Sequence, residues 1–197
     1  MTQLKKIWFI YVANLWMRIK LFFSKKSFTI GSNIKFRGLP NTEVMKGAHV
    51  RIGNDVLINS WNTGYHISMY RPVKIVLHSD KARLKIGNHT RIHGSCIHVK
   101  SNVDIGDNCL IAANTQIFDC NGHLTAMSDP SRRLKEKDIP KQIVIHNNVW
   151  IGTGCVILPG STIGNGSVIG AGSVVSGSIP PNSIAKGNPA VVLENNK

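Results

Sequence analysis

The sequence predicts an all-β chain wound into a parallel β-helix, and two observations carry that prediction. Residues 145–180 divide without remainder into six hexads: IHNNVW, IGTGCV, ILPGST, IGNGSV, IGAGSV and VSGSIP. Position one is Ile145, Ile151, Ile157, Ile163, Ile169 and Val175, always aliphatic. Position five is Val149, Cys155, Ser161, Ser167, Ser173 and Ile179, mostly small. The second observation is that Gly and Asn gather at positions two to four. A helix repeats every 3.6 residues and a strand every 2, and a period of six suits neither. It suits a chain that runs straight, turns where a positive φ costs Gly or Asn little, and repeats. Three such sides close one coil, with position one in a narrow interior and position five beside it.

At 197 residues the chain is one domain with a sizeable core. Residues 1–26, MTQLKKIWFIYVANLWMRIKLFFSKK, are basic and aromatic. The uncharged run from Ile7 to Met17 falls well short of the ~20 residues that span a bilayer. No small-residue cleavage site follows it, so it is not expected to be a signal peptide. It is predicted as a helix that caps the open end of the coil stack, touches a membrane, or does both. Lys and Arg number 24 against 10 Asp and Glu, and the first 37 residues hold eight basic groups and no acid. That asymmetry points to an anionic partner, a membrane surface or nucleic acid.

Weak hexads begin at Ile30 with IGSNIK and FRGLPN and continue through KGAHVR, IGNDVL and INSWNT. Residues 64–80 leave register as an irregular coil or side loop. IGNHTR and IHGSCI restore it, His98 reads as an inserted residue, and VKSNVD, IGDNCL and IAANTQ follow. The pattern then fails over a polar excursion, residues 118–142, that carries Arg132, Arg133, Lys135, Lys137 and Lys141. Such an excursion inside a regular solenoid is uncommon and usually functional. The expected organisation is therefore an N-terminal helix over 1–26, a β-helix over 27–190 with loop 118–142, and a tail over 191–197. The cysteines Cys96, Cys109, Cys120 and Cys155 lack metal-type spacing. The first, second and fourth fall at position five of a hexad and read as reduced core thiols of a cytoplasmic protein.

The stretch IHNNVWIGTGCVILPGSTIGNGSVIGAGSVVSGSIPPNSIAKGNPA resembles the signature of the hexapeptide-repeat acyltransferases. Within them it is similar to the galactoside, maltose and xenobiotic acetyltransferases and to bacterial capsule and O-antigen O-acetyltransferases. The match covers about residues 105–191, with looser repeats back to Ile30. The resemblance implies a left-handed β-helix, a homotrimer, acetyl-CoA as cosubstrate and no metal. It implies that His123, where the repeat breaks, is the general base. An acceptor hydroxyl must lose its proton as it attacks the thioester, and a neutral imidazole is suited to take it. It further places Trp150 against the acceptor, where an exposed indole can stack on a sugar face. Thr153, Ala171, Ser176 and Gly177 fall on the family's pantetheine-groove positions. After GNPA the family usually carries Lys or Arg, but this chain has Val191, and Lys186 is the nearest substitute.

Asp119 lies four residues before His123, and a carboxylate on one ring nitrogen would leave the other free to accept a proton. A backbone carbonyl would serve equally. Cys120 offers a rival route through an acyl-enzyme. His89, His93 and His98 suggest the γ-class carbonic anhydrases of the same fold, whose zinc is held by three histidines, but no third histidine here has persuasive spacing. The expected function is acetyl transfer from CoA to a sugar hydroxyl during synthesis of a surface polysaccharide, lipopolysaccharide or capsule. That reading places the chain in the cytoplasm, allows peripheral contact on the inner face of the membrane, and expects no nucleic acid. Two alternatives are N-acetylation of a nucleotide-linked amino sugar and a non-catalytic β-helix that binds an acidic polymer.

Overall fold

A period of six requires a chain that turns the same way after every short strand. The structure, a computed structural model, describes residues 12–17 and 27–195. Successive strands visit three sheets in rotation. Sheet A holds seven strands from Phe28–Ile30 to Ser178–Ile179, and sheet C holds six from Asn41–Val44 to Val174–Val175. Sheet B holds eight, from Lys35–Arg37 to Val191–Asn195. Every pairing is parallel except the last, so the three sheets form the sides of a triangular prism.

Position one supplies the core. Ile105, Ile145, Ile163 and Ile179 stack in register in sheet A, Ile111, Ile151 and Ile169 in sheet B, and Ile97, Ile117, Ile157 and Val175 in sheet C. All are buried in one continuous cluster. Burying each such side chain contributes about 1.5–3 kcal/mol. Position five fills the corners. The hydroxyls of Ser161, Ser167 and Ser173 are fully buried and donate to the carbonyls of Leu158, Pro180 and Gly170 at 2.7, 2.7 and 2.6 Å. Buried hydroxyls are tolerated there because each is paired. At the corner between sheets A and B, left-handed backbone recurs at Asn33, Asp55, His89, Asn108, Asn148 and Asn182.

Four expectations need correction. Lys74–Leu77 is a regular strand of sheet C, so the break ends before residue 74 and not at Asp80. Cys96 does not occupy position five. It pairs with Gln116, which puts Ser95 in the buried slot and leaves Cys96 half-buried, because the corner at Gly94 is one residue short. Accordingly His98 is not an insertion but an outward residue of the strand Cys96–Val99. Residues 191–195 are not a tail. They fold back as the antiparallel strand Val191–Asn195 and cover the edge of Ser183–Lys186.

The side loop that remains, residues 60–73, is fastened to the corner between sheets B and C. The Tyr70 N–H donates to Asn114 Oδ1 at 2.9 Å, and Asn114 Nδ2 donates to the Ser68 carbonyl at 2.9 Å. The Tyr65 ring stacks on His93 with centroids 4.6 Å apart. Burial, with the charges of Arg91 and Arg37 and the His66 ring, pushes the His93 imidazole down to about 4. An unfolded chain protonates such a ring near 6.5, so the unfolded state binds the extra proton first. Stability from this group is therefore complete above that value, falls as pH drops toward about 4, and is flat below. Thermal melts across this window should show His93→Gln losing less stability with falling pH than the wild type.

Residues 12–17 are helical, and their inner side seals the first coil. Met17 is buried in the core cluster. Asn14 Nδ2 donates to the Phe36 carbonyl at 2.8 Å, and the Phe36 N–H donates to Asn14 Oδ1 at 2.9 Å. One side-chain amide thus stands in for the missing neighbour of strand Lys35–Arg37. The rest of the expected N-terminal helix lies outside the described residues. Among the described residues no helix is long and apolar enough to cross a membrane.

Candidate functional site

The excursion leaves sheet C after Phe118 and rejoins sheet A at Ile143. Its two limbs are joined rung by rung. The Lys141 N–H donates to the Asp119 carbonyl at 2.7 Å, Asn121 Nδ2 to Asp138 Oδ2 at 2.8 Å, and the Leu124 N–H to the Glu136 carbonyl at 3.1 Å. Near the tip, Asp129 caps the short 3₁₀ turn Pro130–Leu134. Arg132 grips Glu136 through two bonds of 2.5 and 2.6 Å, and Arg133 Nε donates to the Thr125 carbonyl at 2.6 Å. The excursion is a folded ribbon.

His123 is presented on this ribbon after Gly122, whose φ of +91° suits glycine alone. His123 Nδ1 lies 2.7 Å from the Arg133 carbonyl oxygen. A carbonyl can only accept, so Nδ1 carries the hydrogen and Nε2 of the neutral ring keeps a lone pair. The ring is exposed. It is oriented and able to take a proton.

Asp119 does not do the orienting. It is fully buried, and its two oxygens accept from the N–H groups of Lys100 and Ser101 at 2.8 and 2.7 Å. The carboxylate ties the neck of the excursion to the preceding coil. The Arg133 carbonyl fills the place Asp119 was expected to fill. Nothing in the sequence signals a carbonyl contact of this kind, because it depends on how the ribbon folds. Cys120 is sealed in the same neck, its Sγ receiving the Gly122 N–H at 3.4 Å and directed at the Asp138 carbonyl at 3.5 Å. A thiol so enclosed is poorly placed to attack a substrate.

The other expected residues fall elsewhere on the prism. Trp150 points outward from sheet B and is 53% exposed. Thr153 and Ala171 sit at the corner between sheets B and C, where Thr153 Oγ1 donates to the Ala113 carbonyl at 2.7 Å. Ser176 and Gly177 are exposed at the corner between C and A, the corner from which the excursion leaves. Lys186 ends its strand directly opposite Val191, so its ammonium emerges beside the position where a basic residue was expected. Within one chain, then, His123 shares a corner with Ser176 and Gly177. Trp150 stands on the face opposite that corner, and Thr153 and Ala171 lie across the width of sheet C.

A groove of about 370 Å³ crosses the outer face of sheet C and reaches the base of the excursion, with Lys74, His78, His98, Gln116 and Phe118 among its walls. His98 Nε2 is 3.3 Å from His78 Nδ1, whose other nitrogen is 3.5 Å from Glu43. Burial and the neighbouring His78 and Lys100 hold the His98 imidazole below its usual range. The three histidines weighed as metal ligands are apart: His89 turns the corner between A and B, His93 stands on sheet B and His98 on sheet C. Among the described residues no cluster of potential ligands could hold a metal.

Comparison with known proteins agrees with this architecture. A model of the bacterial transferase hexapeptide, six repeats, matches residues 142–177, and a model of the hexapeptide repeat of succinyl-transferase matches residues 83–118. Galactoside O-acetyltransferase of Escherichia coli K12 is 42% identical over 51% of this chain and 55% of its own. WbbJ of the same organism, whose name assigns it to lipopolysaccharide biosynthesis as an O-acetyl transferase, is 39% identical over 50% and 54%. The solved hexapeptide-repeat acetyltransferase of Vibrio cholerae O1, complexed with acetyl-CoA, is 37% identical, covering 58% of this chain and 61% of that one, with a TM-score of 0.54. The chain spans about half the length of the curated relatives it matches. The shared fold is the left-handed parallel β-helix.

Proposed function

We propose that this chain, which is similar to the hexapeptide-repeat transferases, moves the acetyl group of acetyl-CoA to a sugar hydroxyl in the synthesis of a surface polysaccharide. The observation that carries the reading is the bond from His123 Nδ1–H to the Arg133 carbonyl. It fixes the tautomer whose Nε2 accepts the hydroxyl proton as the oxygen attacks the thioester carbonyl. A C–O bond forms, the C–S bond breaks, and the departing thiolate takes the proton from the imidazolium. The Arg133 carbonyl stabilises that imidazolium without gaining a proton itself. Similarity to proteins named for galactoside and lipopolysaccharide O-acetylation supports the acceptor class. Thiol release from acetyl-CoA, measured against free sugars, nucleotide sugars and lipid-linked glycans, tests it. Turnover with amino sugars alone would favour N-acetylation, and failure to bind acetyl-CoA would favour a scaffold.

The division of the site residues between opposite sides of the prism supports an active site shared between copies. The excursion of one chain would meet the outer face of sheet B and the B–C corner of the next, and three copies would close a ring. Complementation tests this. His123→Ala and Ala171→Trp homo-oligomers should both be inactive. Chains mixed in equal amounts, unfolded and refolded together should regain about a quarter of wild-type activity, since a random pairing leaves that share of shared sites intact. No recovery, with mixed oligomers shown by mass spectrometry, would place the whole site in one chain.

A further inference from the structure

The N-terminal end of the stack carries a surface that acetyl transfer does not use. The helical residues 12–17 turn Ala13 and Met17 inward, while Val12, Leu15 and Trp16 face out, Leu15 being 61% and Trp16 48% exposed. The first coil adds Ile30, Leu39 and Met45, all exposed. A shallow cavity of about 370 Å³ opens beside them, between Ile30 and Phe36. Large apolar side chains gathered at one end of a prism mark a contact surface.

Charge identifies the partner. The sequence has eight Lys and Arg and no acid through residue 37, and Lys46 and Arg51 follow on the next turns. Glu43, the first acid, lies on the first coil itself, in strand Asn41–Val44, and is 3.5 Å from His78 of the next coil. Exposed apolar side chains with Lys35, Arg37 and Lys46 on the same coil, and no helix among the described residues long enough to span, are the chemistry of an interfacial segment. Aliphatic and indole groups enter the headgroup boundary, and lysines reach the phosphates beside them. Nucleic acid would use the charge but leave Leu15 and Met45 without purpose. A second copy would use the apolar groups but bring like charges together.

We propose that this end docks on an anionic bilayer, with helical residues 12–17 lying in the interface and Leu15 and Trp16 inserted. The proposal is independent of the acceptor and of the base.

Vesicle flotation of the full chain tests it, with phosphatidylglycerol–phosphatidylcholine and pure phosphatidylcholine vesicles. The chain should float with the anionic vesicles alone, and 500 mM salt should weaken binding by about tenfold or more. Leu15→Ser combined with Trp16→Ser should weaken it by about tenfold at low salt. Both side chains are exposed, so the fold should survive, and an unchanged circular dichroism melt checks that. Lys5→Gln, Lys6→Gln and Lys20→Gln together should remove the preference for anionic lipid. Equal binding to both vesicle types, or wild-type binding by the Ser variant, overturns the proposal. So does tighter binding to an RNA or DNA duplex than to anionic vesicles. Concentration-dependent end-to-end pairing in light scattering, abolished by the Ser variant, would assign the surface to a second copy instead.

Discussion

Replacing His123 by alanine should lower kcat by about 100-fold or more, the lower end of what a positioned base contributes. The affinity for acetyl-CoA, measured by calorimetry, should change little. Cys120→Ala should stay active, and no acetyl group should be trapped on the protein by mass spectrometry. A dead Cys120→Ala variant with a trapped acetyl group would replace direct transfer by an acyl-enzyme route. A His123→Ala variant that keeps most of its kcat would remove this residue from the chemistry.

Asp119→Ala should act on stability first. Its buried carboxylate satisfies two backbone N–H groups, and truncation leaves both without partners. The loss is about 3 kcal/mol, which for a chain of this size lowers Tm by about 6–12 °C. Activity should fall too, since the neck that positions the excursion loosens. Asp119→Asn should share the defect, because its amide turns a donor toward at least one N–H. Were Asp119 instead the partner of the imidazole, Asp119→Asn would leave Tm nearly unchanged and lower kcat alone.

Periodicity decided what the sequence could show. A hexad forces position one inward and position six outward, so the isoleucine ladders and the exposure of Trp150 were both legible. So was the position of His123 at the failure of the repeat. Where the period lapses, side-chain-to-backbone bonds set the conformation, and such bonds leave no pattern. The Arg133 carbonyl is one example, and the turn of Asp119 away from His123 toward Lys100 and Ser101 is another. Cys96 was misplaced for a related reason. A corner one residue short shifts the count by one while keeping the hexad's appearance. The pairing of Lys186 with Val191 was hidden because the chain reverses there and leaves the parallel stack.

One strand per coil in each sheet also makes the prism a ruler. From Asn41–Val44, sheet C climbs through Lys74–Leu77 and Cys96–Val99 to Gln116–Phe118, where the excursion departs. Those are three strand spacings, about 14 Å in all. With its open end on a bilayer, the chain holds the base of the excursion at that height above the lipid headgroups. A glycan still attached to lipid would meet His123 with a sugar set off from the headgroup and not with the one joined to it. Duplicating one complete coil below residue 116 would raise the imidazole by about 5 Å. Preference among lipid-linked acceptors should then move outward by roughly one sugar.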